Sequence, residues 1–84
     1  MQYLNQDINI GQRLRALRLA RKLTQPRLVE KMQICGSTIS RSTYSNIESG
    51  RRNIKVSDLI ILKHVLSVEY SELFCGLMPN LDEQ

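Results

Sequence analysis

The sequence predicts an all-α protein, a compact five-helix bundle, on three observations. Apolar residues recur every three or four positions in successive stretches, the period of helices that each turn one face to a core. No stretch alternates apolar and polar residues as a half-buried strand would. With no Trp and one Phe among 42% hydrophobic residues, the core is built from Leu, Ile and Val, which suits a small helical bundle. Eighty-four residues bury one core of useful size, so residues 1–84 are read as a single domain with an ordered part from about 8 to 76.

The first helix is expected from Ile10 to Leu23. Ile10, Leu14, Leu17 and Ala20 form its apolar stripe, Asn9 is its N-cap, and basic residues crowd its negative C-terminal end. Thr24 caps a second helix, about Gln25 to Gln33, with Pro26 in the first turn, where a missing N–H costs nothing. Leu28 and Met32 give that helix its buried side. Ile34 to Ile39 has Gly36 and no helical period, so it reads as a loop anchored in the core at both ends and variable between them, with Cys35 accessible. Ser40 caps a third helix, Arg41 to about Ser49, buried along Tyr44 and Ile47 and stopped by Gly50. A fourth helix starts at Val56 or Ser57 and carries Leu59, Leu62 and Leu66. A fifth, about Glu69 to Cys75, packs Leu73 and Phe74, with Met78 to Gln84 as a tail.

Composition excludes several classes. No run is long enough to span a membrane, and the N-terminus lacks the basic start and apolar block of a signal peptide, so a cytoplasmic protein is expected. Two cysteines and one histidine cannot supply the four ligands of a structural zinc site, and both thiols are read as free. No metal and no cofactor is expected. His64 stands beside Lys63 without a triad-like set of partners, so the protein is not read as an enzyme.

Charge is divided unevenly. Residues 1–56 hold eleven of the twelve Lys and Arg against three acids, net +8, whereas residues 57–84 hold Lys63 against five acids, net −4. Either the first part faces a polyanion or it is a solvated basic surface.

The segment Ser40 to Arg52, SRSTYSNIESGRR, separates these readings. Six of its thirteen residues are Ser, Thr or Asn. Such residues are mediocre helix formers, and solvent-facing helices more often carry Glu, Lys, Gln and Ala. Short polar side chains allow close approach to another polar surface, and Arg, Ser and Asn match the donor and acceptor edges of bases in the DNA major groove. With Tyr44 and Ile47 buried, Arg41, Ser42, Ser45, Asn46 and Ser49 point outward.

Four pieces in order carry a family resemblance: Ile10-Gly11-Gln12-Arg13-Leu14-Arg15-Ala16-Leu17-Arg18; Leu23-Thr24-Gln25 with Leu28; Tyr44-Ser45-Asn46-Ile47-Glu48-Ser49-Gly50-Arg51; and the ending Leu66 to Phe74. Together they resemble the phage repressor and Cro type of helix-turn-helix protein, the XRE family, in a long-turn variant. The resemblance implies a lambda-repressor-like domain that binds double-stranded DNA, with its second and third helices forming the motif. It implies base contacts from Arg41, Ser42 and Asn46. It implies phosphate contacts from Thr24, Gln25, Ser40, Ser45, Arg51, Arg52 and Lys55, and an ion pair between Arg18 and Glu48. Departures from the family pattern are Val29 and Gln33 where small residues are usual, Lys63 at a usually apolar position, and Ile54 in place of a frequent Pro.

The expected function is that of a small bacterial or phage transcriptional regulator, a repressor that binds a palindromic operator as a homodimer. Ile60, Ile61 and Val65 leave the fourth helix apolar on more than one face and are the candidate dimer contacts. The alternative is a protein-interaction module, an antitoxin or adaptor on the same fold.

Overall fold

A computed structural model describes residues 10–74, which form five helices: α1 Ile10–Ala20, α2 Gln25–Ile34, α3 Arg41–Glu48, α4 Val56–Leu66 and α5 Tyr70–Leu73. The residue placed as the N-cap of α1, Asn9, and the segment from Cys75 onward lie outside the described residues. Among the described residues no helix is long and apolar enough to cross a membrane.

The core is one cluster. Leu14 from α1, Leu28 and Met32 from α2, Tyr44 and Ile47 from α3, Leu62 and Leu66 from α4 and Leu73 from α5 meet in it, all at most 2% exposed. Ile54, standing where the family often has Pro, is fully buried and pins the α3–α4 loop to this cluster. α1 packs on α3 and α5, and α2 packs on α3 and α4.

Each of the first four helices ends in the same way. The chain turns through a left-handed residue, Lys22, Gly36, Gly50 or Ser67, and the next N–H bonds back to a carbonyl in the last turn. Glycine adopts this conformation freely, whereas Lys22 and Ser67 do so against a steric cost. The left-handed turn at Lys22 ends α1 three residues before the expected Leu23, and Leu23 folds back against the core instead. Ala20 is exposed, so the α1 stripe is corrected to Ile10, Gly11, Leu14, Leu17 and Arg18.

Gly11 sets how close α1 comes to α3. A methyl group there would collide with the backbone carbonyls of Ile47 and Glu48. The need for glycine at this position is steric rather than conformational.

The connection between α2 and α3 is better tied than its sequence suggests. Ser37 is buried; its hydroxyl donates to Asp58 Oδ1 on α4 at 2.7 Å and accepts from the Ile39 N–H at 3.0 Å. Gln33 Nε2 donates to the Ile39 carbonyl at 2.8 Å. Ile39 is an anchor at 5% exposure, but Ile34 is not: it is 80% exposed, because as the last residue of α2 it lies, at about 100° per residue, on the side away from Leu28, Val29 and Met32.

Candidate nucleic-acid interface

The N-terminus of α2 is built to leave donors outward. The Thr24 hydroxyl accepts the Arg27 N–H at 3.3 Å, and Pro26 removes one N–H that has no helical partner. Such an end, with its partial positive charge, favours an anion.

On α3, Ser40 is the N-cap and its hydroxyl accepts the Thr43 N–H at 3.1 Å. Its Oγ also lies 3.3 Å from Ser42 Oγ and donates to Thr43 Oγ1 at 3.0 Å, so the first turn presents a cluster of hydroxyls. Arg41 and Ser42 are exposed, and Ser45 and Asn46 are half-buried beside them. Rotation of about 100° per residue places all four within one outward sector of α3. Gly50 turns the chain so that Arg51, Arg52 and Lys55 follow as an exposed basic loop. Lys55 is also the N-cap of α4, without a side-chain cap bond.

Behind this face lies a saturated carboxylate. Glu48, 7% exposed, receives Arg18 Nε at 2.7 Å and Tyr44 Oη at 2.6 Å on Oε2, and Arg18 Nη2 at 3.1 Å and Gln25 Nε2 at 2.9 Å on Oε1. Arg18 Nη1 also donates to the Leu23 carbonyl at 2.8 Å. Burial pushes the Glu48 carboxyl up, but hydrogen bonds from Arg18, Tyr44 and Gln25 outweigh it and hold the group below its ordinary value. The Glu48 hydrogen bond holds the Arg18 guanidinium above its ordinary value, and burial with the Glu48 bond raises the Tyr44 hydroxyl. One carboxylate thus joins α1, the first residue of α2 and the last turn of α3. Gln25 accordingly has one amide N–H committed to Glu48, which orients the rest of its side chain at the open end of α2.

Two further arginines, one on α1 and one in the turn that follows it, serve the fold. Arg13 Nε donates to the Glu72 carbonyl at 2.7 Å, and Arg21 Nε donates to the Leu66 carbonyl at 2.6 Å. Both cations lie at helix C-termini, where the dipole is negative. The positive charge on the first 56 residues is therefore not all available to a polyanion: Arg13, Arg18 and Arg21 are engaged in the fold. Sequence reasoning did not find these caps, nor Tyr44 and Gln25 as partners of Glu48. The spacing of four between Tyr44 and Glu48 was a usable signal for one of them.

Of the three apolar candidates on α4, Ile60 is 51% exposed, whereas Ile61 and Val65 are half-buried and packed against the core. Lys63 is half-buried and holds its ammonium 5.1 Å from the centre of the Tyr70 ring on α5.

A capped short helix laid across a second helix, with the outward face of the second left polar, defines a helix-turn-helix protein of the phage repressor and Cro type. The chain belongs to the helix-turn-helix domain family, whose model matches residues 9–72. It is 36% identical over 66 residues to the immunity repressor protein of Bacillus phage phi105, a match that covers 79% of this chain and 42% of that repressor. The chain thus spans less than half the length of this relative. Among solved structures it is similar to the restriction-modification controller protein C.AhdI from Aeromonas hydrophila, with 34% identity, a TM-score of 0.69, and coverage of 80% of this chain and 94% of that one. It also shares its fold with the clp gene regulator ClgR from C. glutamicum, at 21% identity and a TM-score of 0.72 over 93% of this chain and 97% of the other.

Proposed function

We propose that this protein binds a specific sequence of double-stranded DNA and regulates transcription, as a small cytoplasmic repressor acting as a homodimer on a palindromic operator. The observation that carries the reading is the division of labour on α3. Its inner side, Tyr44, Ile47 and Glu48, is locked to α1 and α2, while Arg41, Ser42, Ser45 and Asn46 lie on the outer side. Arg41 and Asn46 are suited to guanine and adenine edges, with Ser42 assisting at closer range. Thr24, Gln25, Ser40, Ser45, Arg51, Arg52 and Lys55 surround them as phosphate contacts that set register without reading sequence. Immunity repression in the phage relative and control of restriction-modification in the structural relative support a regulatory role here.

Dimerisation is supported by α4 and α5, where Val56, Ile60 and Tyr70 are exposed at 37%, 51% and 44%. Two copies joined there would offer two α3 helices to major grooves about 34 Å apart on one side of the duplex. Selection from a random duplex library tests the whole reading. A symmetric enriched site bound by two copies is the expected result; recovery of no preferred sequence, with weak salt-independent binding, would leave an antitoxin or adaptor module as the better reading.

A further inference from the structure

An ionised carboxylate only accepts hydrogen bonds, and four donors converge on Glu48: two from Arg18, one from Tyr44 and one from Gln25. These partners are unequally enclosed. Tyr44 is fully buried, and Arg18 is 7% exposed and also fixed through Nη1 on the Leu23 carbonyl. Gln25 is half-buried and reaches Glu48 Oε1 at 2.9 Å from the first residue of α2, 23 positions away in the chain. Of the three side chains, Gln25 is the one assigned to the DNA face.

A glutamine free at a helix end samples many rotamers, and a ligand that uses it must freeze them. That ordering weakens binding roughly two- to tenfold for one long side chain. The bond to Glu48 orders Gln25 during folding instead. Because the carboxylate offers no donor, it draws the nitrogen end of the amide toward itself, and Nε2 keeps a second N–H for a phosphate oxygen.

We propose that Glu48, although buried behind the interface, is a positioning residue for it, holding the Gln25 amide in its binding geometry before DNA arrives. The proposal rests on the assignment of Gln25 to a phosphate. It makes the charge of residue 48, rather than its size, the requirement for binding. Glutamine at this position would be nearly isosteric, but it offers one acceptor oxygen and one NH2 group where four donors meet. One partner must then turn away. Arg18 and Tyr44 are enclosed, so Gln25 is the side chain released.

A double-mutant cycle on DNA affinity tests this. On the duplex selected from the random library, Glu48→Gln should weaken binding roughly two- to tenfold, at a temperature where circular dichroism shows both proteins folded. In a Gln25→Ala background the same substitution should leave affinity unchanged. Tyr44→Phe removes a donor from the same carboxylate but keeps its charge and its bond to Gln25, so it should lower the melting temperature without changing affinity. An equal loss from Glu48→Gln with and without Gln25, no loss at all, or the same loss from Tyr44→Phe would overturn the proposal. Failure of the unchanged protein to select any duplex would instead overturn the DNA reading beneath it. A second test needs no variant. In the DNA-free protein the order parameter of Gln25 Nε2 should approach the rigid-backbone value of about 0.85, and a flexible value below about 0.6 would refute positioning whatever the affinities.

Discussion

Gly11 on α1 lies so close to Glu48 on α3 that a single added methyl group would overlap the Glu48 carbonyl oxygen. The atoms it would meet are backbone, which cannot swing aside as a side chain can. Gly11→Ala should therefore destabilise the protein by about 1–3 kcal/mol, the usual range for overpacking, despite the better helix propensity of alanine. A domain of this size would lose on the order of 4–24 °C in melting temperature. An unchanged or raised melting temperature would show that the helices separate at little cost.

The Glu48 carboxylate has four donors, so removing partners should be non-additive. Arg18→Ala leaves a buried anion and should cost about 3–5 kcal/mol, and Glu48→Ala should cost a similar amount through the unpaired guanidinium. The double variant should lose less than the sum of the two. Tyr44→Phe removes one donor from a charged acceptor and should cost about 1.5–3 kcal/mol. Urea denaturation of the four variants checks these values, and strict additivity would mean that the groups act independently.

Acid stability should follow the same carboxylate. Its folded value lies below the ordinary one, so its contribution is complete above the unfolded-state pKa of about 4.3 and is lost as pH falls through the lower folded value. Glu48→Gln should thus flatten the acid limb of the stability curve below about pH 4.5 while lowering stability at neutral pH. An acid limb of unchanged slope in the variant would assign acid unfolding to other groups.

Base reading and phosphate holding should separate by mutation. Arg41→Ala should cost about 1–3 kcal/mol on the preferred site and relax the choice at one base pair. Arg52→Ala should weaken all sequences alike and lower the slope of binding against salt by about one unit. If Arg41→Ala and Asn46→Ala weakened every duplex equally, α3 would not be a reading helix.

Arg21 provides the contrasting case of a basic residue outside the DNA site. It bonds the Leu66 and Ser67 carbonyls at the end of α4. Arg21→Ala should lower stability by about 1–2 kcal/mol and leave the salt slope of DNA binding unchanged. A slope reduced by one unit would place this side chain on a phosphate instead.

What the sequence determined by itself was local. Periodicity located all five helices, and the residues that cap them are short-range signals: Thr24 and Ser40 bond N–H groups three residues on, and Gly50 supplies the left-handed turn after α3. The polar face of α3 was legible because Tyr44 and Ile47 leave only one sector free. Tertiary structure decided whatever depends on residues distant in the chain. Periodicity read α1 through to Leu23, but the chain turns at Lys22, where Leu23 gains core contact and Arg21 reaches the end of α4, 45 residues away. The charge count marked Arg13, Arg18 and Arg21 only as positive, whereas packing turned each toward an internal acceptor. Ile34 was read as a core anchor from its hydrophobicity, yet whether an apolar side chain is buried depends on which surfaces meet it, and no short-range pattern contains that information.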